Sequence, residues 1–404
     1  MTQASQAQGR IVIVKPDAAP LFVPPRVRAR EEVCLLPGPV ALSVGVRTAL
    51  QNPPLYHREP EFVTLFENVR ARLGSLVGGR DVALFVGSGT LANEVVAATL
   101  AATRSPGPVI PGPVIPGRGL ILDNGAFGNR LVAQAARFGL TPRVLTWPWG
   151  SPWDLDELAT ALDQEPAGSW VWGVHHESST GVLNDLPALV RLARLRGVRV
   201  CADCVSSIGA VPLDLRQVYL ASGTSGKALG SCSGIALVFA DIRDLHELDM
   251  TRVPSYLDLA ATLAHMGPRF TFPAAPLQAL AAALTEYDTQ TRVGFRYETY
   301  AAVGRYVRQQ LRRIGLPPLA RESDTGPTLS TFAPWQGWTA QAFVDLCRSA
   351  GFLIGGQSTY LAERCLVQIA TMGAITHGAC APLFEHLEPF RPRRGSQPLA
   401  GGRA

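Results

Sequence analysis

Two side chains carry the strongest chemical signal in this sequence, Asp203 and Lys227, both within the stretch Arg199 to Ala240. The chain holds only two lysines, Lys15 and Lys227, among 37 basic residues, so arginine serves wherever charge alone is needed. Lys227 sits in the Gly/Ser-rich turn TSGKALGS. An amine can shed its proton and attack a carbonyl, whereas a guanidinium stays charged and cannot form a Schiff base. A lysine used in that way needs its pKa lowered by burial or by nearby positive charge. Asp203 lies within the apolar run VRVCADCV, where an acid is costly without a positive partner or a turn to cap.

Composition limits the classes open to the chain. It has 404 residues, 47% hydrophobic and 17% charged, enough to bury a large core in two domains. The formal charge is +5, and its arginines are scattered with no basic stripe interleaved with aromatics, which argues against nucleic-acid binding. No apolar run reaches the roughly 18 residues of a membrane span. The N-terminus MTQASQAQGR has no signal core, so a cytoplasmic protein is expected. Seven cysteines argue against a disulfide framework. Cys201 and Cys204 make a C-x-x-C with no second pair near it, and their strand-like neighbours predict a buried apolar role rather than a metal site.

The elements that must position the pair alternate. Residues 1–33 read as an N-terminal arm. Ser43 is the predicted N-cap of a first helix, and Phe62, Leu65, Phe66 and Val69 have helical spacing. The strand DVALFVGS then runs into GSGTLANE at a helix start, leaving backbone N–H groups of Ser88, Gly89 and Thr90 facing outward as an anion site that suits phosphate. The PGPVI duplication at 106–117 reads as an extended loop. Further strand–helix pairs follow through GLILDNG, RVLTWPW, WVWGVHHESSTG and RVCADC. This pattern predicts an α/β fold with a mostly parallel central sheet, helices on both faces and ligands at the carboxyl ends of the strands. The polar clusters Ser88 to Thr90, Asn124 to Phe127, Glu177 to Thr180, Asp203 and Ser222 to Lys227 all fall at such ends. A large domain over 34–285, a smaller C-terminal α+β domain over 286–392 and a disordered tail over 393–404 complete the expectation. A carboxylate at Asp203 and an imine-forming lysine together suit pyridoxal 5'-phosphate (PLP), whose protonated ring nitrogen makes it an electron sink.

At this point the chain resembles the class V aminotransferases, fold-type I PLP enzymes, near the alanine–glyoxylate and 2-aminoethylphosphonate–pyruvate transaminases. The resemblance runs from about Leu35 to about Phe390 and rests on LLPGPV, GSGTLANE, NGAFGNR, HHESSTGVLNDL, ADCVSSIGAVPLDL, SGKALGSCSGIALV and RFTFPAAPLQAL, in that order. It implies a Schiff base at Lys227, with Asp203 at the pyridine nitrogen and Phe127 stacked on the ring. It implies phosphate contacts from Ser88, Gly89 and Thr90, and further cofactor contacts from Ser178 and Thr224. Arg269 and Thr271 would cross from a neighbouring subunit, which implies a homodimer with shared active sites. The partners implied are a small amino donor, alanine-like or 2-aminoethylphosphonate-like, and a 2-oxo acid acceptor.

Two positions depart from the family pattern. Gly226 precedes the lysine where a polar side chain is usual, so one cofactor contact must come from elsewhere. In VQIATMG the family's substrate-binding arginine is replaced by Gln368, and a neutral amide cannot reproduce a bidentate pair with a carboxylate. Either another arginine takes over, from Arg58, Arg269 and Arg364, or the substrate lacks the usual α-carboxylate. The same constellation can also run a PLP-dependent elimination or carbon–carbon cleavage, and a PLP-fold binding protein without turnover is the third reading.

Overall fold

The structure is a computed structural model that describes residues 32–102, 119–246 and 248–392. The expected arm up to residue 31, the PGPVI duplication, the tail from 393 and Lys15 lie outside the described residues. Seven strands form the central sheet: β1 (Asp81–Gly87), β2 (Gly119–Asp123), β3 (Arg143–Thr146), β4 (Trp170–Val174), β5 (Arg199–Asp203), β6 (Leu220–Thr224) and β7 (Gly234–Ala240). Their order is β1-β7-β6-β5-β4-β2-β3. β7 runs antiparallel to both β1 and β6, and the remaining pairings are parallel. Six strands therefore point the same way and bring their carboxyl ends to one edge of the sheet.

Strand periodicity of two explains how the sheet buries both faces. Leu84, Leu122, Val200 and Leu237 face one core, together with Phe62, Phe66, Leu189 and Leu277 from the helices over it. Phe85, Ile121, Cys201 and Val238 face the other, with Val95, Val96, Leu131 and Ala135. Cys201 and Cys204 are fully buried, as their apolar neighbours predict. The helices that matter for chemistry are α1 (Gly89–Ala101), which follows β1, and α2 (Ala126–Arg137), which follows β2. Ser43 does cap its helix, accepting the Val46 N–H at 3.4 Å.

A third apolar cluster joins Val303, Leu311, Phe332, Phe343, Val367 and Leu383. These come from the long helix α3 (Gln290–Arg313) and the elements after it, including the antiparallel strands Leu329–Phe332 and Val367–Ala370. α3 starts at Gln290, where Thr289 caps it by accepting the Arg292 N–H at 3.2 Å. The short strand Val33–Leu35 pairs in parallel with Phe352–Ile354, and Leu35 packs into this cluster rather than under the seven-stranded sheet.

Candidate active site

Asp203 is the last residue of β5 and is 4% exposed. Its Oδ2 accepts from Asn93 Nδ2 at 2.7 Å and its Oδ1 from the Val205 N–H at 2.9 Å. Asn93 belongs to the second turn of α1, and its own Oδ1 accepts from Ser222 Oγ on β6. One helix and two strands thus clamp the carboxylate. Burial pushes its pKa up, while the bonds from Asn93 and Val205 favour the charged form.

Lys227 stands in the turn after β6, and its Nζ donates to Ser206 Oγ at 2.8 Å. Burial lowers its pKa, opposed by the charges of Asp203 and Glu177. Gly226 is required by close approach: a Cβ there would stand 2.4 Å from Ser233 Oγ and 2.7 Å from Ser233 Cα. The missing polar side chain at 226 therefore gives its space to Ser233, which lines the same cavity.

Phe127 lies in the first turn of α2, its ring centroid 5.4 Å from Lys227 Nζ. The N-cap position of α2 is Gly125, which has no side chain to offer. A buried carboxylate does that work instead. Glu177 accepts from the Gly128 N–H at 3.0 Å and the Phe127 N–H at 3.4 Å, and Ser179 Oγ accepts from Ala126 N at 2.9 Å. An anion against the positive end of a helix is stabilised there. Burial nevertheless raises the pKa of Glu177, against the pull of the Ser179, Gly128 and Phe127 bonds.

A cavity of about 230 Å³ gathers these groups: Ser88, Gly89, Thr90, Phe127, Asp203, Thr224 and Lys227 all line it. α1 points its N-terminus at this space, and Ser88 forms no side-chain cap across it. A larger cleft of about 530 Å³ opens around Leu186, Pro212 and Gln217, but it holds neither the lysine nor the helix terminus, so chemistry rather than size selects the smaller one.

The other predicted site residues lie outside the lining. Ser178 is buried and its carbonyl accepts from Gln368 Nε2 at 2.6 Å. Arg269 donates to the carbonyl of Ser255 at 3.0 Å, and with Thr271 it borders a separate recess beside Phe85 and Tyr256. Arg58 is exposed in the turn before the helix Pro60–Leu76. Arg364 stacks on Trp149 at 4.0 Å. Gln368 is completely buried, and its Nε2 serves Ser178 O, Ser179 O and Thr331 Oγ1 while its Oε1 accepts from Tyr360 Oη at 3.4 Å.

Two cavity-lining residues, Asn93 and Arg130, escape a reading of the sequence, as does the part that Glu177, placed at a strand end by the sequence, plays at α2. Asn93 carried a usable signal, a polar residue among the apolar residues of ANEVVAATLAA. The helix-capping role of Glu177 carried none, since Glu177 and Phe127 meet only through the sheet.

A parallel sheet with a buried lysine, a clamped aspartate and an open helix N-terminus at its carboxyl edge defines a cofactor-dependent enzyme of the PLP type. The profile of the class-V aminotransferases matches residues 48–253, and the chain belongs to that family. It is a PLP-dependent aminotransferase. It is 31% identical over 337 residues to a 2-aminoethylphosphonate–pyruvate transaminase of Burkholderia ambifaria, covering 80% of this chain and 86% of the relative. A transaminase of the same name from Vibrio cholerae is 27% identical over 308 residues, 74% of this chain and 81% of the relative. Among solved structures, an alanine–glyoxylate aminotransferase from Nostoc superposes with a TM-score of 0.78 at 28% identity, covering 93% of this chain and 97% of its own.

Proposed function

We propose that the chain moves an amino group from a small amine or amino acid, of the 2-aminoethylphosphonate or alanine kind, to a 2-oxo acid, with Lys227 as the amine that engages the cofactor. The observation that carries this reading is the single cavity shared by Lys227, Asp203 and the N-terminus of α1. The residues fit PLP. The N–H groups at Ser88, Gly89 and Thr90 would hold its phosphate, because a helix start offers unpaired donors and the positive end of the dipole. Asp203, fastened by Asn93 and Val205, would hold the proton on the ring nitrogen, and Phe127 and Thr224, which line the same cavity, would orient the ring. Bound PLP supplies the electron sink for charge released at the substrate Cα.

Lys227 Nζ would take up the proton released at the substrate Cα and give it back in a later step, acting as base and then acid. Burial favours its neutral form, and Ser206 Oγ holds the amine in place. Arg269 and Thr271 would reach the phosphate of a second copy. The exposed, stacked pair Tyr256 and Phe270 beside them supports an interface at that face. Among the described residues no helix is long and apolar enough to cross a membrane. All seven cysteines are free, which supports a reducing, cytoplasmic setting.

The test is the visible absorbance of the PLP-loaded protein, alone and after addition of 2-aminoethylphosphonate or alanine, alongside Lys227→Ala. The expected result is a band present in the wild type, absent from the variant and bleached by one donor, then restored by pyruvate or glyoxylate. A wild type that releases ammonia from the donor without any oxo acid overturns the transfer reading.

A further inference from the structure

The position that should grip the substrate's acid group is spent. Gln368 is fully buried, its amide N–H groups go to the Ser178 and Ser179 carbonyls and to Thr331, and its Oε1 takes the Tyr360 hydroxyl. No donor of that side chain remains for a ligand. None of the three arginines considered in its place lines the Lys227 cavity. Arg58 is exposed outside the cavity, Arg269 is bonded to Ser255, Asp258 and Thr262, and Arg364 stacks on Trp149 with Glu363 at 3.8 Å.

A fourth arginine meets the need. Arg130 lies one turn beyond Phe127 on α2, lines the Lys227 cavity, and holds its guanidinium carbon 4.7 Å from the Phe127 ring centroid. It is exposed at the cavity, and among the described residues no carboxylate pairs with it. Its charge is felt at both Lys227 and Asp203, so it stands close to where the reacting atoms must sit. A guanidinium on an aromatic face keeps its N–H edge free for an oxyanion, and its planar fork matches a carboxylate or phosphonate.

Resting on the transaminase reading above, we propose that Arg130 is the specificity-determining cation that binds the acid group of the amino and oxo substrates. Glu177 has a positioning part in this, since it caps the helix that carries both Phe127 and Arg130.

The experiment uses PLP-loaded wild type, Arg130→Gln and Arg130→Lys. First, the Kd for PLP and the lysine-dependent visible band are measured in each. Then KM and kcat are taken for pyruvate and for its uncharged analogue pyruvamide, with 2-aminoethylphosphonate and alanine as separate donor arms. The expected result is an unchanged PLP Kd and band, with KM for pyruvate raised about ten- to a hundred-fold in Arg130→Gln, the scale of a lost charge-assisted bond. KM for pyruvamide stays within about two-fold of wild type, and Arg130→Lys recovers part of the pyruvate KM, because a point charge replaces the fork incompletely. The donor arm whose KM rises identifies which acid group, carboxylate or phosphonate, the arginine holds. The proposal is overturned by an unchanged pyruvate KM, by an equal rise for pyruvamide, or by a weakened PLP Kd, which would make Arg130 a cofactor residue. Failure of the underlying reading appears separately, as a wild type whose band no donor bleaches.

Discussion

At the scale of single residues, the site is built from groups whose preferred protonation is set by burial and then trimmed by one or two bonds. Lys227 and Asp203 are pushed toward their neutral forms by the same dry surroundings, and each is held by a short polar bond. Gln368 is the contrasting case, a polar group used to bridge the strands Leu329–Phe332 and Val367–Ala370 with the Glu177–Thr180 turn. Gln368→Leu would strip the buried Ser178 carbonyl and Thr331 hydroxyl of the amide that donates to them, so a loss of about 2–4 kcal/mol is expected. Urea denaturation monitored by tryptophan fluorescence checks it. A loss below about 1 kcal/mol would mean those groups find other partners.

At the scale of elements, the carboxyl ends of β4 and β5 and the starts of α1 and α2 are interlocked. Glu177 follows β4 and caps α2, so Glu177→Gln exchanges an anion for a neutral amide at a helix N-terminus. The expected cost is about 1 kcal/mol, with a fall in kcat as Phe127 loses its fixed angle. Parallel measurement of Tm and kcat separates the two effects, and an unaltered kcat would show that α2 holds Phe127 without help.

The same strand end carries two buried histidines. Burial lowers His175 to about 3 and His176 to about 4, from an ordinary 6.5. Both are neutral in the native state, while the unfolded chain binds protons below pH 6.5. The unfolded state therefore gains protons first, and stability is lost as pH falls from about 6.5 toward 4, by about 1.4 kcal/mol per pH unit for each histidine. His176→Asn should flatten that slope by one histidine's share. Denaturation at stepped pH on both proteins decides it, and parallel slopes would mean His176 is already protonated in the fold.

At the scale of the whole molecule, the cavity faces one edge of the sheet, while Arg269 and Thr271 sit at a different recess of the same chain. If a second copy supplies them, inactive Lys227→Ala and Arg269→Ala proteins should complement when unfolded and reassociated together. Half of the dimers would be hybrids with one intact site, giving about a quarter of wild-type activity by isologous exchange. Activity no greater than the sum of the separate variants would place each site within a single chain.

Most of the framework was legible because it is local. The alternation of apolar strand runs with helical spacing specified a mostly parallel sheet, and each strand end announced itself by a switch from apolar to polar residues, as at VGSGT and CADC. The two-lysine count singled out Lys227 without any coordinates. What the sequence could not determine is which polar groups meet across the sheet. Asn93 reaches Asp203, and Glu177 reaches Phe127, over separations of 110 and 50 positions. The fate of Gln368 was also decided only in three dimensions. An amide reads the same in a strand whether it faces a ligand or a carbonyl, and burial against Ser178 and Thr331 settles which. Side-chain pairing depends on register and on the packing of elements far apart in the chain, whereas strand and helix periodicity is written within a few residues.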